Sequence, residues 1–156
     1  MPKKKSHRDR MYQVVGEPGP GTIAAGYVRY SSDMQSDASI VTQKRIIREF
    51  AEKKGWRIPD GNWYEEPAQS AKYEDIEQRP QFANLLRDAG IKFGVVVCYS
   101  NSRWSRNVIA THRSLNELRR KGVWWATATE PWDIDKVMQQ GSVSYTHLTL
   151  PTIYSV

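Results

Sequence analysis

Tyr27-Val28-Arg29-Tyr30-Ser31 decides how this chain reads. It closes an apolar run over residues 22–28 that predicts a first β-strand, and the turn-forming Ser32, Asp33 and Gln35 follow it. Side chains two apart on a strand face the same way, so Arg29 and Ser31 point to one side. A hydroxyl that can attack phosphorus, beside a guanidinium that can grip phosphate oxygens in a fork, suits phosphodiester chemistry. A strand end with an incidental Ser-Ser pair would read the same way in isolation. The decision therefore passes to the rest of the chain.

Outward from this stretch, strand and helix signals alternate. Residues 42–54 predict a helix, with Ile46, Ile47, Phe50 and Ala51 at helical spacing, Ser39 or Thr42 as cap and Gly55 as stop. Residues 56–64 form a weaker strand signal, interrupted by Pro59, Asp60 and Gly61. Residues 65–78 read as polar loop, and 79–89 as a second helix with Pro80 in its first turn and Gly90 at its end. The β-branched run over 94–99 has the character of a central parallel strand buried on both faces. A polar loop over 100–107 leads into a helix over 108–121, with Ile109, Leu115 and Leu118 expected inward. A strand over 123–129 and the start of a fourth helix over 133–140 follow. The β-α-β-α-β-α-β order predicts a three-layer α/β fold, a mostly parallel sheet flanked by helices.

Ligands in such folds sit beyond the carboxyl ends of the strands. Ser31 and the loop 100–107 both follow strands, so they are expected at one edge of the sheet. That loop carries Arg103 and Arg106, three apart at the start of a helix, where backbone N–H groups add partial positive charge. Arg29, Arg103 and Arg106 could together enclose one phosphodiester.

The length of 156 residues predicts one domain, or one domain with tails, and the net charge of +6 suggests an anionic partner. Four of those six charges come from residues 1–10. Residues 1–21, basic and then rich in Gly and Pro, read as a disordered leader. The single cysteine, Cys98, excludes an intramolecular disulfide and a cysteine-based metal site, and the three histidines have no neighbouring ligands. No apolar segment is long enough to span a membrane, and the basic N-terminal residues have no apolar stretch behind them, so they are not expected to be a secretion signal.

In order and spacing, several pieces resemble the catalytic domain of the serine recombinases: resolvases, DNA invertases and large serine integrases. These are YVRYS at 27–31, Gln35, Gln43, EEPAQSA at 65–71, Arg79-Pro80, VVVCY at 95–99, SRWSRN at 102–107 and TEPWD at 129–133. The resemblance covers residues 22–140, and the larger loops are closer to the integrase branch. It implies that Ser31 is the nucleophile, forming a 5′-phosphoserine link to DNA and freeing a 3′ hydroxyl. Arg29, Arg103 and Arg106 would stabilise the transition state, with Gln35, Gln43 and Arg79 in support. It further implies double-stranded DNA as substrate, homodimers and tetramers in a full-length protein, action in the cytoplasm on bacterial or phage DNA of mobile elements, and no cofactor.

Two positions stand out against the family pattern. Ser102 occupies the place of an aspartate proposed to help protonate the leaving 3′ oxygen. Glu65 or Glu66 stands where the family has another acidic residue, the register being open by one; a solvated loop charge is the plainer expectation for either. Residues 141–156 lack helical periodicity, contain Pro151 and match nothing in the family. They resemble translated adapter sequence, so a non-native or disordered tail is expected and the chain reads as a C-terminally truncated recombinase. A fragment of this kind is expected to be inactive alone. The alternatives are a non-catalytic, resolvase-like DNA-binding or regulatory domain and a small-molecule phosphate-binding α/β domain. The absence of a glycine-rich loop after the first strand counts against the latter.

Overall fold

The computed structural model describes residues 16–30, 39–66, 76, 79–105 and 107–139. The first strand, β1 (Ala24–Arg29), is buried along its whole length. Helix α1 (Ile40–Lys54) starts at Ser39, whose hydroxyl accepts from Thr42 N at 3.2 Å, and stops at Gly55, which adopts a left-handed φ of 79°. A 3-10 turn (Asp60–Asn62) leads into β2 (Trp63–Glu66), followed by α2 (Pro80–Asp88) and β3 (Val95–Cys98). A one-turn helix, α3 (Asn101–Trp104), interrupts the segment expected as loop before α4 (Val108–Arg120) and β4 (Trp124–Thr127). Residues 134–139 are helical.

Among the described residues the strands form one four-stranded parallel sheet in the order β2-β1-β3-β4. The step from β1 to β2 runs toward one edge, and the next two steps run toward the other. Right-handed crossovers then place α1 on one face and α2 and α4 on the opposite face. Side chains follow that division. On one face, Trp63 lies against Gly26, with Arg48 of α1 5.1 Å above its ring. On the other, Tyr27 meets Trp104 at 5.1 Å, and Trp104 meets Phe82 of α2 at 5.7 Å and Trp125 of β4 at 5.9 Å. The three-layer expectation holds.

Two local expectations change. Residues 63–66, placed at a strand–loop boundary, are the edge strand β2, and its Glu66 is fully buried rather than solvated. Glu65, pointing to the other face, pairs with Lys44 at the surface. Ile109, expected inward, is exposed; Ala110, Thr111, Ser114, Leu115 and Leu118 form the buried stripe of α4. Beside the expected 21/22 boundary, Trp56 Nε1 donates to Pro18 O at 3.1 Å, and Gly21 N donates to the carbonyl of Gly55, the C-cap of α1, at 2.8 Å. The expected tail, 141–156, lies outside the described residues.

Candidate active site at the carboxyl edge of β1 and β3

In this strand order the chain leaves β1 toward one edge and leaves β3 toward the other, so a crevice opens beyond their carboxyl ends. Arg29 ends β1, and β3 runs through Tyr99 and Ser100 into α3. The two segments meet there. Arg29 Nη2 donates to Ser102 O at 2.8 Å, and its Nε donates to Arg103 O at 3.2 Å. Arg79, the N-cap residue of α2, donates from Nη1 to Trp104 O at 2.5 Å. The last carbonyls of a helix have no partner inside it and carry partial negative charge. Two guanidinium groups from elsewhere in the fold thus receive three successive carbonyls at the end of α3. Arg29, Arg79 and Arg103 are all buried, at 5 %, 1 % and 4 % exposure, whereas Ser102 is exposed with its hydroxyl 3.1 Å from that of Ser100.

Beneath the arginines lies a buried polar cluster. Glu66 Oε2 accepts from the Tyr27 hydroxyl at 2.9 Å and from Phe82 N at 2.9 Å, and Oε1 accepts from Gln81 N at 3.2 Å. Those two amides open α2, so a carboxylate from β2 caps a helix whose own N-cap residue contributes no side-chain bond. The Tyr27 hydroxyl also accepts from Arg79 Nη1 at 3.4 Å. Burial, reinforced by the Glu66 carboxylate, drives the Tyr27 pKa far above the usual phenol value, so the hydroxyl remains a donor. On the first turn of α1, Gln43 is fully buried and donates from Nε2 to Arg29 O at 3.2 Å. Trp104 anchors the turn from below, its Nε1 donating to Ser114 Oγ of α4 at 2.9 Å.

Of the residues expected in the site, Arg29, Gln43, Glu66, Arg79, Ser102 and Arg103 gather at this edge; Ser31, Gln35 and Arg106 lie outside the described residues. Of the two adjacent glutamates, Glu66 is the one in the buried cluster, linked to Arg79 through the Tyr27 hydroxyl, whereas Glu65 pairs with Lys44 at the surface. Sequence reasoning passed over Tyr27 and also Glu130, whose Oε1 accepts from Asn101 N at the start of α3 at 2.7 Å. Tyr27 is signalled only by strand alternation, which places it on the face of Arg29. Among the described residues, no group of three or more His, Cys, Asp or Glu is placed to hold a metal ion, and no helix is long and apolar enough to cross a membrane.

The family model for the resolvase N-terminal domain matches residues 24–148. The chain belongs to that family. Solved structures agree in fold. The N-terminal catalytic domain of TP901-1 integrase superposes with a TM-score of 0.64 at 23 % identity, covering 85 % of this chain and 96 % of that one. A resolvase family site-specific recombinase from Streptococcus pneumoniae gives 0.61 at 19 % identity, covering 86 % and 95 %. The C-terminal catalytic domain of ISC1926 TnpA, an IS607-like serine recombinase, gives 0.56 at 18 % identity, covering 84 % and 85 %. A search of curated proteins gives no match. Membership in a recombinase family implies site-specific DNA recombination as the class of function.

Proposed function

We propose that this domain cuts and rejoins DNA through a covalent link to Ser31. The Ser31 oxygen attacks a DNA phosphorus, the bond from phosphorus to the 3′ oxygen breaks, and the 3′ oxygen leaves with a proton as a hydroxyl. The 5′ phosphate stays on the serine until a 3′ hydroxyl from the exchanged strand attacks it and releases Ser31. Each step replaces one phosphodiester with another, so the exchange is close to isoenergetic and draws on no nucleotide. Charge builds on the phosphate oxygens in the transition state, and preorganised cations there are worth on the order of 10² to 10³ in rate apiece.

One observation carries this reading: Arg29, two residues before Ser31, grips the backbone of Ser102 and Arg103 from across the sheet edge. The same contact refines the role assigned to Arg29. Two of its N–H donors hold the arginine-bearing turn, so it orders the site as well as adding charge. Double-stranded DNA is the proposed substrate and a homodimer or tetramer the proposed working unit. Cytoplasmic action in integration, inversion or resolution of mobile elements belongs to the same proposal.

A second reading, a non-catalytic resolvase-like module that binds DNA, draws on Ser102. Serine is a poor proton donor, and the exposed Ser100–Ser102 hydroxyl pair has no carboxyl group between its members. A nicked duplex carrying the recombination site, which traps the intermediate, separates the readings when a restored full-length chain is given it. Catalysis predicts a DNA adduct on the Ser31 peptide that disappears in Ser31→Ala. Binding of that site by a restored full-length chain with no adduct would establish the non-catalytic reading instead.

A further inference from the structure

Glu130 lies in the turn after β4, within the TEPWD segment, and the chemistry above does not use it. Its Oε1 accepts from Asn101 N, the first residue of α3, at 2.7 Å. Ser100, the N-cap residue of α3, makes no side-chain capping bond, so this end of the helix is met from outside. A single helical turn is unstable in isolation. α3 is therefore held at both ends by charge supplied from other elements: Glu130 at its beginning, Arg29 and Arg79 at its final carbonyls. The Glu130 side is itself braced. Thr127 Oγ1 donates to Glu130 O at 2.7 Å. Thr129 donates to Tyr99 O from both N, at 3.1 Å, and Oγ1, at 2.7 Å.

We propose that Glu130 is a positioning residue, whose carboxylate fixes the leading end of the turn that presents Ser102 and Arg103. Its functional consequence rests on reading this edge as a phosphate site; its structural consequence does not. With the carboxylate removed, the turn pivots on its arginine-held carbonyls and lifts from β3.

The Cys98 thiol reports that motion. It is fully buried and donates to Ser100 O at 3.5 Å, at the entry to α3, so lifting of the turn should speed a reagent's access to it. The experiment measures labelling of Cys98 by a disulfide reagent under native conditions in wild type, Glu130→Ala and Glu130→Gln, with urea stability recorded for each. Loss of a charge-assisted hydrogen bond predicts labelling about ten- to a hundredfold faster in Glu130→Ala. Glu130→Gln, which keeps an acceptor oxygen for Asn101 N, should return to within about fivefold of wild type, the neutral bond being weaker but present. The inference is overturned if Glu130→Ala labels no faster than its loss of global stability accounts for, or if Glu130→Gln labels as fast as Glu130→Ala. In the nicked-duplex assay, Glu130→Ala should slow adduct formation at saturating DNA and leave DNA affinity unchanged, with Glu130→Gln recovering the rate. A loss of affinity alone refutes the positioning role. Should wild type bind its site and form no adduct, the recombinase reading fails, and the labelling comparison still decides the role of Glu130.

Discussion

Replacing Glu66 by glutamine tests the buried cluster that supports the site. The carboxylate accepts three hydrogen bonds, from Tyr27, Gln81 and Phe82, and is fully buried. A glutamine of the same shape keeps one oxygen, which can serve Tyr27 and Phe82, and turns an NH2 group toward Gln81 N. Hydrogen bonds to a charged group contribute about 1.5–3 kcal/mol and neutral ones about 0.5–1.5, so the two retained bonds lose about 1 kcal/mol each. The stranded amide of Gln81 adds about 1 kcal/mol or more. The expected loss is about 3 kcal/mol, a large share of a typical stability of roughly 5–15 kcal/mol. Urea unfolding followed by tryptophan fluorescence measures it, with an unchanged m-value as the check that the unfolded state has not moved. A double-mutant cycle then isolates the link to the arginine. Tyr27→Phe removes the hydroxyl that donates to Glu66 and accepts from Arg79, and the two substitutions should couple by about 1 kcal/mol or more. A Glu66→Gln cost under about 0.5 kcal/mol would refute the argument, because that is the scale of substitutions away from any buried network. Additivity in the cycle would refute the relay through Tyr27 even if Glu66 itself proved important.

Three further outcomes follow from the sheet, its tyrosines and Asp88. A methyl group at Gly26 would sit 2.2 Å from Trp63 Cζ3, so Gly26→Ala should cost about 1–3 kcal/mol in urea unfolding, and a smaller residue at position 63 should recover part of the loss. Tyr27 and Tyr64 are both raised above the usual phenol pKa, mainly by burial and then, for Tyr64, by its hydrogen bond to Asp88; Asp88 is lowered, mainly by that same bond. Above about pH 10 the unfolded chain loses phenolic protons that the folded chain keeps, so stability should fall there, and tyrosinate absorbance should rise together with unfolding. The Asp88 contribution has the opposite sense: it is complete above the ordinary carboxylate pKa and is lost as pH falls through the lowered folded value, so Asp88→Asn should flatten the acid limb of the stability profile.

The sheet was legible in residue order because its signals are local. The β-branched Val95–Cys98 run has the character of a buried strand, and the Ser39 cap and Gly55 stop bracket α1 through chemistry that acts within one helical turn. β2 was blurred for a physical reason. Its alternation places Glu66 on a buried face, and a charged residue there reads as loop until its partners, 15, 16 and 39 positions away, are known. Ile109 misled in the same way: a helix start rich in apolar residues does not reveal which of them faces the sheet.

The arginines carry the deeper lesson. An arginine poised for phosphate and one clasping a helix end have the same sequence signature, since both offer a planar fork to oxygen. Convergence of strand ends predicted that Ser31 and the 100–107 segment would share one edge; Ser31 lies outside the described residues, and Arg29, two residues before it, reaches the backbone of Ser102 and Arg103. That Arg29 faces carbonyl oxygens 73 and 74 residues away depends on α3 forming at all, which its four residues do not foretell. Glu130 stayed hidden because the local capping signal, an acceptor beside the helix it caps, is supplied here from 29 residues downstream. The turn that bears Arg103 is thus assembled by β1, α2 and the loop after β4 together. A substitution in any of the three should alter the site before it unfolds the domain, and the labelling rate of Cys98 beneath the turn is the measure that distinguishes those two events.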